Sequence, residues 1–353
     1  MRIGIANSTP MAVVALRYAL TMRPQHKVAW VARDGEDAVA MCAKDTPDLL
    51  LMDLPLPGLD GVQATNRIME NTPCPILIVT SSVDANTGAV FDAMGRGAID
   101  AVDIPVIEKD IGASAAQFLH KIDTIAKLVG TRRFAPTRGA SSDITLTGTW
   151  PPCKRERLVA IGASAGGPMA LTRLLSGLPQ DFPASIVIVQ HVDARFAPGM
   201  ADWLTRTAGL QVRVAREGDR PEPGTVLLAG TNDHLVFKGP DRLGYAAEPR
   251  DHPYRPSVDV FFESLGAMWI GEAIGVLLTG MGRDGAEGLK VMRNKGYYTI
   301  AQDASTSAVY GMPKAAASLG AAVDILPLDR IAPRLIDTLR FQPGLCGGKG
   351  QSA

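Results

Sequence analysis

The sequence contains few aromatic residues and few cysteines. Aromatic residues make up 5% of the 353 residues, whereas hydrophobic residues make up 46%. A core with this composition consists mainly of Ala, Val, Leu and Ile, as buried parallel sheets do. The 4 cysteines lie far apart and show neither a CxxC pair nor a spacing typical of disulfides. We therefore expect the protein to work in a reducing compartment.

The chain also lacks an excess of charge and any long apolar segment. Its 36 basic residues balance its 36 acidic residues, so no global field draws it to nucleic acid or to an anionic membrane. No apolar run approaches the roughly 18 residues of a membrane span, and the N-terminus has only a short apolar stretch. We expect a cytoplasmic protein that does not insert into a membrane.

Short aliphatic runs alternate with helix-length amphipathic segments over residues 1–129. Buried strands that alternate with helices are typical of α/β domains with a parallel sheet. This region is therefore predicted to form a domain with five parallel strands. The strand candidates are residues 2–6, 28–32, 49–52, 76–79 and 101–102.

A segment without periodicity separates this region from a second series of strands and helices. Residues 130–155 are rich in Gly, Pro, Ser, Thr and Arg and are predicted to form a linker. Residues 156–345 again alternate between strand and helix patterns, which predicts a doubly wound, mainly parallel α/β domain. The strand candidates of this domain are residues 158–161, 185–189, 226–229, 274–278 and 299–301.

The first strand of the second series runs into a turn of small residues, GASAGG, which contains Ser164. The turn fits the pattern G-x-S-x-G, in which small residues allow a sharp passage from a strand to a helix. Such a turn presents the serine hydroxyl beside backbone N–H groups that can stabilise an oxyanion. Ser164 is therefore a candidate nucleophile, and the N–H of Ala165 is a candidate oxyanion donor. Taken alone, the turn is also compatible with phosphate binding or tight packing.

Two further strands end at residues that would complete a catalytic triad. The strand SIVIV leads into Gln190 and His191, and the strand IGVLLT leads into TGMGRDG, which contains Asp284. The carboxyl ends of parallel strands open on one crevice. Ser164, His191 and Asp284 can meet there as nucleophile, general base and orienting acid, although their order along the chain differs from that of the α/β-hydrolases.

Two other histidines lie near the predicted crevice. We interpret His234, in the segment GTNDHLVF, as a structural hydrogen-bonding residue. His252, in DHPYRPSVDVFF, is compatible both with a substrate groove and with an ordinary loop position. The sequence has no HExxH motif and no histidines at positions i and i+4, so neither a catalytic metal nor another cofactor for catalysis is predicted.

Five motifs of the second half occur together in one order: GASAGGP, QH, GT-DH, TGMGRDGA, and AQD followed by YGMP. In these motifs residues 156–340 resemble the catalytic domain of the chemotaxis-type protein-glutamate methylesterases, the CheB family, which also deamidate receptor glutamines. The resemblance implies that Ser164 attacks a glutamyl methyl ester, that His191 takes its proton and later activates water, and that Asp284 holds the imidazole.

The same resemblance suggests further site residues and partners. It suggests that the N–H of Met281 completes the oxyanion site, and it makes Thr231 and Arg283 candidates for a substrate groove. The implied partners are the methylated cytoplasmic domain of a chemoreceptor and a chemosensory histidine kinase. Nucleic acid is not an expected partner.

The first half resembles a receiver domain of the flavodoxin-like fold. The strand LLLMD ends at Asp53 before LPLPGLDG, like a phosphoacceptor turn, and Thr80 at the end of ILIVT corresponds to the receiver switch residue. The resemblance implies that this domain regulates the methylesterase. In the family an inactive receiver obstructs the catalytic crevice, and phosphorylation relieves that block.

The receiver pattern is incomplete at three positions. Asn7 and Ser8 stand where the family has the acidic pair that holds magnesium, and Ile104 stands where it has a lysine before proline. We expect Asp53 alone to bind magnesium poorly, because magnesium binds chiefly through carboxylate and phosphate oxygens. Two interpretations stay open: Asp53 is phosphorylated with a weakened dependence on metal, or the domain is a pseudo-receiver that acts through binding. The start of the chain is most similar to the family branch that serves Wsp-type surface-sensing systems.

Three other functions are compatible with parts of the sequence. A response regulator that acts on DNA would carry a short basic helix-turn-helix domain, and the second half is a long α/β domain instead. A nucleotide-binding oxidoreductase would have the spacing GxGxxG, which the turn at Ser164 lacks. The third is a catalytically inactive adaptor that only binds receptors. The presence of Ser164, His191 and Asp284 argues against it, and it is the main alternative to an active esterase.

Overall fold

The computed structural model describes residues 1–83, 85–106, 111–129 and 156–341. The chain divides into two units, Met1–Arg138 and Gly139–Ala353. The predicted linker, residues 130–155, lies outside the described residues, and so do residues 342–353. The predicted domain limits, 1–129 and 156–345, therefore stay predictions.

The described part of the first unit contains one parallel sheet with five strands. The strands are β1 (Arg2–Ala6), β2 (Lys27–Ala32), β3 (Leu49–Met52), β4 (Ile76–Thr80) and β5 (Asp100–Asp103). The helices are α1 (Pro10–Thr21), α2 (Gly35–Lys44), α3 (Gly61–Asn71), α4 (Thr87–Gly95) and α5 (Ile111–Val129). The strand order β2-β1-β3-β4-β5 is that of the flavodoxin-like fold, so the predicted fold is confirmed.

Burial and close packing fix the turn that follows β3. All residues of β3 and β4 are buried, in keeping with their continuous apolar sequences. Asp60 caps the N-terminus of helix α3, because its side chain accepts a hydrogen bond from the N–H of Gln63. Gly61 lets α3 start close to β3, because a Cβ atom there would lie 2.0 Å from the backbone oxygen of Asp53. Asp53 is thereby held at the end of its strand.

Two cysteines lie in the core of the first unit. Cys42 and Cys74 are buried free thiols. The hydrogen bond between the two thiols, together with burial, raises the pKa of the Cys74 thiol. These thiols behave as small apolar core residues. Cys153 and Cys346 lie outside the described residues.

The described part of the second unit contains a sheet of seven strands and a two-stranded antiparallel hairpin. The sheet strands are β6 (Arg157–Ala163), β7 (Ser185–Gln190), β8 (Val212–Val214), β9 (Val226–Leu228), β12 (Glu272–Leu277), β13 (Tyr298–Gln302) and β14 (Asp324–Leu326), and the hairpin strands are β10 (His234–Phe237) and β11 (Leu243–Ala246). The helices are α6 (Gly167–Ser176), a 3-10 helix (Ala194–Phe196), α7 (Ala197–Ala208), α8 (Val258–Met268), α9 (Ala286–Asn294), α10 (Met312–Ser318) and α11 (Leu328–Phe341). None of the helices described in either unit combines the length and the apolar character that crossing a bilayer requires.

The strand order of the second unit creates a crevice at the centre of the sheet. The order is β14-β13-β12-β6-β7-β9-β8, and neighbouring strands pair in parallel, which confirms the predicted architecture. From β6 the chain first extends the sheet through β7 and later extends it in the opposite direction through β12. Ligands of such sheets bind at the carboxyl ends of the strands where the order reverses. The motifs that contain Ser164, His191 and Asp284 follow these three central strands.

Helix α8 packs an apolar face in the core of this unit. Val258, Phe261 and Phe262 are fully buried, and burying one such side chain stabilises the fold by about 1.5–3 kcal/mol. Ser257 caps the N-terminus of the helix, because its side chain accepts a hydrogen bond from the N–H of Val260. Core packing and this cap together fix the position of the helix N-terminus, which is part of the site described next.

Candidate active site

Ser164 lies in the tight turn between β6 and α6. The N–H of Ser164 donates to the backbone oxygen of Thr279 at 3.0 Å, and its own backbone oxygen accepts the N–H of Gly167 at 2.7 Å. Gly166 caps α6 with a φ of 74°, a left-handed conformation that favours glycine. The turn therefore needs the small residues of the GASAGG motif, and it joins the end of β6 to the loop after β12.

The loop after β12 passes directly beside the serine. A Cβ atom on Gly280 would lie 2.8 Å from the Cβ of Ser164, so a glycine is required for this approach. Within the described part of the chain, the N–H groups of Ala165 and Met281 donate no hydrogen bond to the protein. The structure thus leaves two backbone donors available on the two segments that meet at Ser164, as an oxyanion site requires.

His191 follows β7, the neighbour of β6 in the sheet. Its N–H donates to the backbone oxygen of Ala163 at 3.0 Å, so His191 and Ser164 occupy adjacent strand ends. The side-chain amide of Gln190 donates to the backbone oxygen of Ser164 at 2.9 Å and to that of His191 at 3.3 Å. Gln190 thereby ties the turn that contains the serine to the residue that follows β7.

The imidazole of His191 binds the carboxylate of Asp284 through Nε2. Nε2 lies 2.7 Å from Asp284 Oδ2, and only 1% of the Asp284 side chain is exposed. The other ring nitrogen, Nδ1, is buried and has no hydrogen-bond partner among the described residues. The Ser164 hydroxyl does not hydrogen-bond to it here, which is common in free enzymes because catalytic hydrogen bonds often tighten only with substrate. Nδ1 is thus the ring nitrogen that can accept a proton.

The carboxylate of Asp284 lies at the N-terminus of α8. The N–H of Val258 donates to its Oδ2 at 2.7 Å, and the N–H of Asp259 donates to its Oδ1 at 3.1 Å. The Ser257 hydroxyl donates to Oδ1 at 2.7 Å. Burial alone would raise the pKa of Asp284, but the hydrogen bonds from His191, Ser257 and Val258 lower it to about 2. His191 and the helix start together therefore keep this buried carboxylate ionised.

Sequence reasoning assigned no role to Ser257. The serine precedes an apolar helical pattern, which is the usual signal of a helix N-cap. That signal predicts where α8 begins, but it cannot predict that the helix start faces Asp284, which comes 27 positions later.

A second carboxylate, Asp259, lies beside Asp284. Burial raises its pKa to about 6, the N–H of Gly288 counteracts this, and the charge of Asp284 adds to the rise. Ligand atoms of His252, Asp259 and Asp284 lie within 4.8 Å of one another. However, both oxygens of Asp284 and one of Asp259 accept hydrogen bonds from the protein. A cation would compete with these N–H and O–H donors for the carboxylate oxygens. The surroundings of the cluster are therefore better suited to hydrogen-bond the two carboxylates than to bind a metal.

His234 and His252 have different environments. His234 is fully buried, accepts the N–H of Ser257 at Nδ1 and lies 3.1 Å from the oxygen of Pro249 through Nε2. These contacts agree with a structural role. His252 Nε2 lies 3.5 Å from the Ser257 hydroxyl and 3.9 Å from Asp284 Oδ1, so His252 borders the buried carboxylate.

Tyr254 was also missed by sequence reasoning. Its ring is stacked on the imidazole of His191, with ring centroids 4.5 Å apart and planes inclined by 5°. It lies in an irregular segment between β11 and α8 that has no hydrophobic periodicity. No pattern in the sequence identified this contact, because it depends on the course of that irregular segment.

The two residues predicted for a substrate groove use their polar groups locally. Arg283 is largely exposed and pairs at 3.1 Å with Glu287, which lies in the first turn of α9. The Thr231 hydroxyl accepts the N–H of Asp233 at 3.1 Å within its own turn. In the described residues neither side chain hydrogen-bonds to the triad, and their assignment to a groove stays a prediction.

The first unit contains a separate buried carboxyl group, that of Asp53. Oδ2 accepts a hydrogen bond from Asn7 Nδ2 at 2.8 Å, and Oδ1 accepts the N–H of Leu54 at 2.9 Å. Burial raises the pKa of Asp53 to about 6, against the lowering effect of the Leu54 hydrogen bond. The predicted switch residue, Thr80, is buried, and its hydroxyl accepts a hydrogen bond from Asn86 at 2.9 Å.

Comparison with known proteins relates both units to one kind of protein. Residues 159–335 match the CheB methylesterase family, and residues 3–116 match the response regulator receiver domain. The chain is 57% identical over 349 residues to protein-glutamate methylesterase/protein-glutamine glutaminase 2 of Cupriavidus metallidurans, which covers 99% of both chains. It is also 57% identical over 342 residues to the protein of the same name from Pseudomonas syringae, with 96% of this chain and 99% of that one covered.

Among solved structures, the second unit is similar to the CheB methylesterase catalytic domain of Thermotoga maritima. The TM-score is 0.50 and the identity is 34%. The match covers 52% of this chain and 98% of that chain. The similarity therefore extends over nearly the whole of that catalytic domain.

Proposed function

The chain belongs to the CheB methylesterase family, and we propose that it hydrolyses glutamate methyl esters on the cytoplasmic helices of a chemoreceptor. The same site deamidates receptor glutamines, because the two substrates differ in the leaving group, which is methanol or ammonia. The observation that carries this proposal is the meeting of the Ser164 turn with the His191–Asp284 pair at the ends of three central strands. Adaptation of a chemosensory pathway is the resulting role.

The first half of the reaction transfers the glutamyl group to Ser164. The serine oxygen attacks the ester carbonyl carbon, and Nδ1 of His191 takes the hydroxyl proton, because Nε2 already binds Asp284 at 2.7 Å. The carbonyl oxygen becomes an oxyanion that the N–H groups of Ala165 and Met281 stabilise. The imidazolium then gives its proton to the departing methoxide. Methanol leaves, and a glutamyl ester of Ser164 remains.

The second half of the reaction releases free glutamate. Nδ1 of His191 takes a proton from water, whose oxygen attacks the acyl carbon. The Ser164 oxygen leaves and receives this proton from the imidazolium, which restores the starting state. Asp284 stabilises the imidazolium in both halves, since its pKa of about 2 keeps it negatively charged at neutral pH.

We propose that the first unit regulates this reaction as a pseudo-receiver. Asn7 Nδ2 donates to Asp53 at 2.8 Å, and Asn7 Oδ1 accepts the N–H of Thr9 at 2.8 Å. These two hydrogen bonds fix the orientation of the amide, so a donor faces Asp53 where magnesium would need an oxygen ligand. Ile104 supplies no cation for a phosphoryl group. Phosphorylation of Asp53 is the alternative that the experiment below distinguishes.

The proposed substrate determines the proposed partners and location. The partners are the methylated cytoplasmic domain of a chemoreceptor and the histidine kinase of the same chemosensory pathway. The enzyme would then act in the cytoplasm, where those receptor helices lie. Membership of the Wsp-type branch stays a prediction from the start of the sequence.

The test uses a receptor cytoplasmic fragment that carries both glutamate methyl esters and glutamines. We expect the full chain to release methanol and ammonia from it, at rates that a small phosphodonor with magnesium leaves unchanged. Acceleration by the donor would instead mean that Asp53 is phosphorylated. Binding of the fragment without release of either product would make the chain an adaptor and contradict the proposed activity.

A further inference from the structure

Tyr254 covers one face of the imidazole of His191. The two rings are nearly parallel, 5° apart, with a centroid distance of 4.5 Å. Asp284 binds the edge of the same imidazole at Nε2. One contact thus fixes an edge of the ring and the other fixes its plane, while Nδ1 is left without a protein partner among the described residues.

The segment that carries Tyr254 is anchored on both sides of the tyrosine. The N–H of Tyr254 donates to His252 Nδ1 at 3.3 Å, and the neighbouring Arg255 forms an ion pair with Asp233 at 2.7 Å. Three residues after Tyr254, the Ser257 hydroxyl binds Asp284. The tyrosine is therefore held between two anchored residues, and the second of these anchors, Ser257, also binds the triad carboxylate.

The hydroxyl end of Tyr254 lies against the loop that carries Met281. A Cβ atom on Gly282 would lie 2.3 Å from the tyrosine oxygen, so this oxygen occupies the space that a side chain there would need. Gly282 also has a left-handed φ of 76°. A single side chain consequently contacts both the general base and the loop with the second oxyanion donor.

We propose that Tyr254 is a positioning residue of the esterase reaction, which holds the His191 imidazole in its reactive plane and stabilises the imidazolium formed during catalysis. This inference rests on the proposed function and adds a residue to it. The face of an aromatic ring is electronegative and attracts a cation lying over it. Since the imidazole becomes cationic only after it takes the serine proton, the attraction strengthens as the transition state forms and increases kcat.

The ionisation state of Tyr254 is compatible with this role. Burial and the charge of Asp284 both raise the pKa of the phenol. The hydroxyl therefore stays neutral at the pH at which the enzyme works. The aromatic ring, and not the charge of a phenolate, is then the group that acts on His191.

The kinetic test compares substitutions of Tyr254 in the full chain, with the methylated receptor fragment as substrate. Tyr254→Phe retains the ring and should retain kcat within about two-fold, whereas Tyr254→Leu should lower kcat by roughly ten-fold with little change in KM. Tyr297→Leu is the matched control, because Tyr297 is another half-buried tyrosine of the second unit whose hydroxyl binds the backbone of Trp269 at 3.0 Å. It should leave kcat unchanged.

A spectroscopic measurement tests the stacking itself and does not require the leucine variant to fold. The chain has 5 histidines. The imidazole signals of histidine-labelled protein can therefore be assigned with variants in which one histidine at a time is replaced. The carbon-bound ring protons of His191 should be shifted upfield by the tyrosine ring current in the wild type and in Tyr254→Phe.

Three results would overturn the inference: no upfield shift in the wild type, wild-type kcat in Tyr254→Leu, or a change confined to KM. The last would make Tyr254 a substrate-binding residue. Failure of the proposed function can be distinguished from failure of this inference. In that case the wild type itself would release no methanol, whatever the His191 spectrum shows.

Discussion

The folded protein stabilises the negative charge of Asp284, and the proposed reaction depends on that charge. Its folded-state pKa of about 2 lies below the ordinary value of 3.8. For an acid with a depressed pKa, the added stability is fully present above the ordinary value and is lost as the pH falls through the folded value. The charge on Asp284 should therefore stabilise the protein at neutral pH and cease to do so near pH 2.

Substitution by asparagine tests this at the residue scale. We expect Asp284→Asn to lower the free energy of unfolding at pH 7 by on the order of 2 kcal/mol, and the difference from wild type to shrink between about pH 4 and pH 2. Denaturant unfolding at a series of pH values measures it. A pH-independent difference for Asp284→Asn would contradict the assigned charge.

We expect three residues of the first unit, Asn7, Ser8 and Ile104, to prevent a response of Asp53 to a phosphodonor. Asn7 donates to the carboxyl group of Asp53, where a metal site would need a ligand oxygen. The triple variant Asn7→Asp, Ser8→Asp, Ile104→Lys should therefore gain magnesium binding and acceleration of methanol release by a phosphodonor. Ile104→Lys alone should gain neither, because the carboxylates are still missing. Donor sensitivity of the unmodified chain would contradict the pseudo-receiver interpretation.

The sequence indicates which residues follow the ends of strands. It does not indicate which other residues hold those residues in place. Ser164, His191 and Asp284 each come after an aliphatic run, and parallel strands bring such positions to one edge. The contacts of Ser257 and Tyr254 depend on an irregular segment that folds back from a distant part of the chain. The sequence also could not predict which ring nitrogen of His191 binds Asp284. That choice depends on the direction from which the carboxylate approaches the imidazole.

At the scale of elements, the N-terminus of α8 serves the triad directly. Ser257 both caps this helix through Val260 N–H and donates to Asp284. Ser257→Ala should lower stability by about 1 kcal/mol through loss of the cap, and it should also lower kcat roughly ten-fold because one donor to the charged carboxylate is lost. Thermal unfolding and methanol release measure the two effects.

A capped helix elsewhere in the chain provides the control for this prediction. Asp34 caps α2 by accepting the N–H of Asp37, and it is not part of the triad. Asp34→Ala should cost similar stability without lowering kcat, and Ser257→Thr should restore activity. Equal effects of Asp34→Ala and Ser257→Ala on kcat would mean that only stability matters.

Buried strands were predicted well, whereas the short and partly exposed strands β8 and β14 were not. The central strands β6, β7 and β12 are buried throughout and appear in the sequence as continuous aliphatic runs. Strands β8 and β14 have three residues each and are partly exposed. So short a segment shows no hydrophobic period, and its pairing depends on the neighbouring strand. The hairpin of β10 and β11, which has four residues in each strand, was also missed.

At the scale of the whole molecule, a receiver-like unit and a hydrolase unit share one chain. The resemblance to the CheB family predicts that the first unit restrains the second. We therefore expect a shortened protein of residues 151–353 to release methanol faster than the full chain at equal concentration. An unchanged or lower rate would mean that the first unit instead helps to dock the receptor.

The most direct test of the central claim is methanol release by Ser164→Ala on the methylated receptor fragment, with receptor binding and thermal unfolding measured on the same samples. We predict a folded protein that still binds the fragment and whose rate is lower by at least about 10³-fold, as expected when a catalytic nucleophile is removed. Substantial methanol release by this variant would show that Ser164 is not the nucleophile and that the triad assignment is wrong.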